Sequence, residues 1–159
     1  MELYRIDQKN RKSVDDFIMK HWFTLDMVVH GEKINLGNVD GFYASEDNRI
    51  VGLITYRIAN NEMEIMSLDS LNEKKGIGTS LLDKAIQTAK DVGCLRIMLI
   101  TTNDNLSALQ FYQKRGFDII RLHHNAVEES RKIKPQIPLT GSNGIPIKHE
   151  NELEMKIGR

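Results

Sequence analysis

Hydrophobic and polar positions change period several times along this chain, and each change marks an element. Leu3-Tyr4-Arg5-Ile6 alternates and predicts a short first strand. Ser13 to Phe23 follows a helical period, with Val14, Phe17 and Ile18 on the inner side and Trp22 as a further candidate. Between Thr24 and Asn38 the pattern is ambiguous. Met27-Val28-Val29 and Ile34-Asn35-Leu36 read either as short strands around Gly31 or as a loop over the site. Gly41 to Ala44 and Ile50 to Arg57 predict a hairpin turning at Glu46-Asp47-Asn48; Ala59-Asn60-Asn61 marks the next turn, and Glu62 to Leu68 the next strand. From Ile77 the apolar positions Leu81, Leu82, Ala85, Ile86 and Ala89 recur at helical spacing, and Gly93 stops the helix.

Leu95 to Ile100 is an apolar run of the kind a buried strand needs. Asn105 to Lys114 predicts a short helix closed by Gly116, Phe117 to Leu122 a strand, and Asn125 the cap of a helix reaching Lys132, whose basic end (Arg131, Lys132, Lys134) is expected to be solvated. Pro135, Pro138 and Pro146, with Thr140-Gly141-Ser142-Asn143-Gly144, mark an extended loop. The tail Glu152 to Ile157 alternates as a closing strand with one wet face, on which two copies could pair as a homodimer. Antiparallel strands followed by β-α-β-α-β predict an α/β chain with a mixed sheet flanked by helices.

Composition narrows the function classes. With 159 residues the chain is expected to form a single domain, 1–159, with a real core. Its 40% hydrophobic and 28% charged residues are ordinary for a globular protein. Lysine plus arginine equals aspartate plus glutamate at 22 each, so no global field recruits nucleic acid. No segment has membrane-spanning length, and Met1-Glu2-Leu3-Tyr4-Arg5 lacks the apolar run of a signal peptide. The single cysteine, Cys94, fits a reducing compartment, and a cytoplasmic location is expected. The five histidines show no paired ligand spacing, so no metal is expected.

The chemistry concentrates between Glu64 and Leu82. A strand breaks into a polar loop, and Gly76-Ile77-Gly78 then opens an amphipathic helix. That junction aims unpaired backbone N–H groups and the positive helix end at one point, which suits a phosphate or diphosphate. Lys74 and Lys75 stand beside it, and neither glycine brings a Cβ. A Walker A loop is excluded, because Gly78 is followed by Thr79-Ser80 without lysine; a dinucleotide fingerprint would need a third glycine. Taken alone, the Gly-x-Gly reads equally well as a tight turn.

The segment from Arg96 to Phe117 changes that balance. Here the chain resembles the GNAT superfamily of acetyl-CoA-dependent N-acetyltransferases. The family's acyl-CoA loop, Arg/Gln-x-x-Gly-x-Gly/Ala, falls on Glu73 to Gly78, and its later pattern on Asn105, Ala108, Tyr112, Gly116 and Phe117. The departure is Glu73, where Arg or Gln is usual; a carboxylate facing a diphosphate is unfavourable, so Glu73 is expected to turn outward. The resemblance implies the GNAT fold, a mostly antiparallel mixed sheet splayed into a V between its fourth and fifth strands to admit the pantetheine arm.

It also implies roles. Acetyl-CoA is the expected cosubstrate, held by Leu68, Ser70, Lys74, Lys75, Gly76, Ile77, Gly78, Thr79 and Asn105. Tyr112 would contact the cofactor and act as general acid for the departing thiolate. For the base, period two puts Glu62, Glu64, Met66 and Leu68 on one strand face, so Glu64, Glu62 or a water chain remain alternatives. The expected reaction is direct attack of a primary amine, that of a small-molecule acceptor, on the thioester. A non-catalytic acyl-CoA sensor, motivated by Glu73, and an acetyltransferase of protein lysines or N-termini stand as alternatives.

Overall fold

The computed structural model describes residues 1–72 and 76–158. In chain order its elements are β1 (Glu2–Arg5), α1 (Arg11–Trp22), β2 (Asp26–Val29), β3 (Glu32–Asn35), β4 (Asp40–Glu46), β5 (Arg49–Ala59), β6 (Glu62–Ser70), α2 (Ile77–Asp91), β7 (Arg96–Thr102), α3 (Leu106–Lys114), β8 (Asp118–His123), α4 (Ala126–Ile133) and β9 (Glu150–Lys156). A 3-10 turn covers Leu36–Asn38. The ambiguous segment after Thr24 is therefore a short hairpin followed by a turn. The chain divides into two compact units. One comprises Met1–Asp26, Asn35–Ile97 and the chain end from Ile157; the other comprises Met27–Ile34 and Met98–Lys156.

In the first unit the strand order is β1-β4-β5-β6, and each neighbouring pair is antiparallel. Both long hairpins close on two residues with positive φ: Asp47 and Asn48 (49° and 62°), then Asn60 and Asn61 (54° and 63°). Asp and Asn tolerate that conformation, and its twist matches the flanking strands. Helix α2 buries Ile77, Leu81, Leu82, Ala85 and Ala89, the periodic set read from the sequence. It comes very close to β5 at Gly52. A Cβ there would lie 2.5 Å from Ile77 Cγ2 and 3.1 Å from Leu81 Cδ1, so the missing side chain sets where the first turn of α2 can sit.

Strand β6 departs from simple alternation. Arg57 pairs with Glu64 and Tyr56 with Ile65, but Thr55 pairs with Ser67, so Met66 is the extra residue of a β-bulge. Directly opposed residues share a face of the sheet. Glu62 and Glu64 therefore lie on the face of Ser67 and Asp69, while Leu68 and Ser70 lie on the other, with Gly52 and α2. The expected single face of Glu62, Glu64, Met66 and Leu68 is corrected: the inserted residue shifts the phase.

In the second unit β2 pairs with β3, and β9 lies between β7 and β8. Both edges of β9 are thus occupied, so two copies cannot pair through the edge of this tail. On the predicted wet face Lys156 is exposed and Glu154 partly exposed, but Glu152 is buried. Glu150 and Glu152 are buried, the first bonded by the His30 N–H (3.0 Å) and the second facing His123 Nε2 (3.0 Å) and Arg121 (3.4 Å). Asn125 precedes α4 with φ 57°, and its side chain makes no cap bond. Its place there reflects tolerance of the left-handed conformation, not capping.

Arg131 is not part of a solvated helix end. Its Nη2 donates to the carbonyls of Pro138 (2.6 Å) and Ile147 (2.7 Å), and its Nε to that of Ile137 (3.3 Å), pinning the proline-rich loop against α4. Arg131→Ala should release those carbonyls together, costing about 2–4 kcal/mol at the usual strength of charge-assisted bonds. Amide exchange at Gly141 and Ile147, whose N–H groups close this loop onto Ile145 and Leu139, should accelerate in step. Unchanged protection in the variant would mean that the loop holds itself.

Candidate functional site

In the first unit the predicted anion loop begins where β6 ends. Ser70 stands on the α2 face, and its Oγ is buried with no hydrogen-bond partner among the described residues. Gly76, the residue before α2, has φ 72°, a left-handed conformation that glycine adopts without strain, and a Cβ there would meet nothing within 4 Å among the described residues. The first intrahelical bond of α2 runs from Ser80 N to Gly76 O at 3.0 Å. The amides of Ile77 and Gly78 precede it, in the first turn where a helix offers no acceptor. No acidic side chain sits in that first turn. A glycine with no described neighbour over it, a hydroxyl without a described partner and the positive end of a 15-residue helix have the chemistry of an anion site. Lys74 and Lys75, and with them Glu73, lie outside the described residues.

The opposite face of β6 carries the carboxylates. Glu64 is held by Arg57, whose Nη2 lies 2.9 Å and Nε 3.0 Å from Oε1; Glu62 is held by Arg96 at 3.0 Å. Both candidate bases thus carry a guanidinium partner. Further along the same face, Thr55 and Ser67 form a buried hydroxyl pair at 2.6 Å. Beyond them stands Asp69. Its Oδ1 accepts a hydrogen bond from the indole Nε1 of Trp22, at 3.2 Å. Burial pushes the Asp69 carboxyl up to about 6, against the lowering effects of the Trp22 bond and the His21 charge.

The second unit holds the other predicted group. Asn105 caps α3, its Oδ1 accepting the Ala108 N–H at 3.2 Å, so the capping role open to an asparagine at this position is realised. Tyr112 is buried two turns later on the same helix face, between Phe111 and Phe117 in edge-to-face contacts of 5.1 and 5.3 Å. The β7–α3 connection is fastened to the proline-rich loop through Asn103. Its Nδ2 donates to Pro146 O at 2.9 Å, while its Oδ1 accepts the N–H groups of Lys148 and His149, also at 2.9 Å. Gly141 approaches Asp104 so closely that a Cβ would fall 2.1 Å from Oδ2. The β2–β3 hairpin is fastened as well, through the bonds of His30 to Glu150.

The sequence placed Leu68, Ser70, Gly76, Ile77, Gly78 and Thr79 at one strand–helix junction, and Asn105 and Tyr112 on one helix; the structure has them so. It also brings forward two residues the sequence reading passed over, Asp69 and Asn103. Nothing local marks Asp69, since an acid at a strand end resembles a turn residue. Its partner Trp22 lies 47 positions away. Cys94, buried with its thiol pushed up by burial, is a packing residue.

Comparison with known proteins was made for the chain as a whole. The Acetyltransferase (GNAT) family model matches residues 3–117. The uncharacterized protein YxbD of Bacillus subtilis is 50% identical over 138 residues, 86% of this chain and 87% of its own. Streptothricin acetyltransferase A of Bacillus subtilis is 38% identical over 76 residues, 46% of this chain and 44% of its own. Among solved structures, a Bacillus subtilis acetyltransferase in complex with CoA superposes with TM-score 0.71 at 20% identity, covering 98% of each chain.

Proposed function

This chain belongs to the GNAT family of acetyltransferases, and from that premise we propose that it moves the acetyl group of acetyl-CoA to the primary amine of a small molecule. The observation that carries the cosubstrate half is the junction at Gly76: backbone amides without helical acceptors, a glycine with no described neighbour over it and a Ser70 hydroxyl without a described partner. Gly76, Ile77, Gly78 and Thr79 would receive the diphosphate through their amides. The backbone of Leu68 and Ser70, with the Asn105 side chain, would take the pantetheine amides. CoA is bound in the structural relative, and the anion chemistry of this junction fits the same group.

Transfer proceeds by direct attack, without an acyl-enzyme. The protein's tasks are to hold both reactants in line, to stabilise the oxyanion with a backbone N–H, that of Leu68, and to protonate the thiolate with the Tyr112 hydroxyl. Support for a small acceptor comes from the fastening of the β2–β3 hairpin by Glu150 and of the proline-rich loop by Arg131 and Asn103. Segments tied down in this way suit a bounded acceptor pocket more than an open peptide groove. Streptothricin acetyltransferase A, similar over 46% of this chain, points the same way.

Acetyl-CoA should raise the melting temperature. At a concentration a hundredfold above its dissociation constant the gain is about 2.7 kcal/mol, several degrees for a domain of this size. A flat melting curve up to millimolar acetyl-CoA would sink the assignment. A screen of primary amines with detection of the released thiol then identifies the acceptor.

A further inference from the structure

Asp69 is a titratable side chain that the mechanism above leaves unused. It sits between Leu68 and Ser70, the strand segment assigned to the acyl arm, but it projects from the opposite face, towards α1. That face is otherwise largely neutral around it: Leu53 opposite, the Thr55–Ser67 hydroxyl pair beside it, and the Trp22 indole in contact. The charged groups facing it are His21 from α1 and, further along the sheet, the Arg57–Glu64 pair, in which each charge is already answered. One carboxylate oxygen takes the indole N–H. No other described side chain donates to the second, and the residue is half-buried.

We infer that Asp69 receives the proton of the incoming acceptor, so that the acceptor enters as a primary ammonium ion seated on Oδ2 beside Trp22. The inference rests on the acetyltransferase reading. The ammonium R–NH3+ gives one proton to the Asp69 carboxylate and becomes the neutral amine. Its nitrogen lone pair then forms the C–N bond at the thioester carbonyl. The C–S bond breaks with its electron pair on sulfur, the thiolate takes the Tyr112 hydroxyl proton, and the second proton lost from nitrogen restores that hydroxyl. Asp69 afterwards releases its proton to water, so the net products are amide, thiol and one proton. A desolvated carboxylate suits both halves of this task, because a cation compensates its charge on arrival and burial raises its proton affinity towards working pH. Glu62 and Glu64 already have an arginine as counter-ion.

Trp22 is the single tryptophan of the chain, so its emission reports on Asp69 directly. The experiment titrates this emission with pH, with acetyl-CoA present, in n-butylammonium chloride and in sodium chloride of equal ionic strength. A midpoint near pH 6 is expected in sodium chloride. The ammonium salt should move it to lower pH, because a cation favours the ionised carboxyl, and Asp69→Asn should abolish it. The variant keeps an acceptor for the indole and loses a buried charge that is unfavourable above that pH, so it should fold. With n-butylamine as acceptor, Asp69→Asn should lower kcat/KM about 100-fold and remove the rise of rate through pH 6, with the acetyl-CoA melting shift unchanged. A wild-type emission that is flat with pH, or a midpoint indifferent to n-butylammonium, overturns the role of Asp69 whether or not n-butylamine is turned over. Absence of the acetyl-CoA melting shift overturns the acetyltransferase reading instead, so the two failures are separable.

Discussion

Tyr112→Phe should abolish most turnover while leaving acetyl-CoA binding intact. The ring is buried against Phe111 and Phe117, and phenylalanine fills the same space, so the packing that holds α3 survives. What disappears is one hydroxyl. If that hydroxyl protonates the thiolate as the C–S bond breaks, its loss removes general acid catalysis, a factor of about 100 to 10,000. The effect should fall on kcat, since the proton is needed in the transition state and not in the bound complex. Thiol release under saturating acetyl-CoA measures it, and the melting shift with acetyl-CoA is the control. Turnover within a few-fold of wild type would remove Tyr112 from the chemistry. A chain that binds acetyl-CoA and gives no thiol with any amine, before or after the substitution, would instead be a sensor.

Gly41→Ala should be the most damaging small change to the fold. Gly41 is buried in β4 opposite Thr55, and an added Cβ would stand 2.1 Å from the backbone oxygen of Ile54 and 3.0 Å from Ile6 Cδ1. The first of these obstacles is main chain, which cannot swing aside as a side chain can. The strands must separate locally, and with them the bond from Ile6 N to Gly41 O, now 2.9 Å. A cost of about 3 kcal/mol is expected, a large part of the stability of an ordinary domain. Urea denaturation measures it. A loss below about 1 kcal/mol would show that the close approach relaxes easily, in the range of a surface change.

No helix among the described residues is long and apolar enough to cross a bilayer.

Periodicity made the elements legible because each buries one side only. Helix α2 announces itself through Leu81, Leu82, Ala85 and Ala89, and the two long hairpins through Asp and Asn at turns that require positive φ. The strand–helix junction at Gly76 was legible for a related reason. Backbone amides and the absence of side chains at Gly76 and Gly78 are local properties, fixed by a few consecutive residues.

What the sequence could not carry is what depends on partners far along the chain. Period two put Glu64 and Leu68 on one face, but a single inserted residue at Met66 reversed the phase, and only the pairing with β5 reveals it. Arg131 reads as a solvated cation until the proline-rich loop folds back and offers it three carbonyls. Glu152 reads as part of a wet strand face until His123 and Arg121 arrive from elsewhere to compensate its burial. Asp69 is the same case at the site. The sequence determined where an anion can be held, since amides and glycines do that locally. The tertiary structure decided which carboxylate is buried beside an indole, because burial and its effect on proton affinity belong to the surroundings and not to the residue.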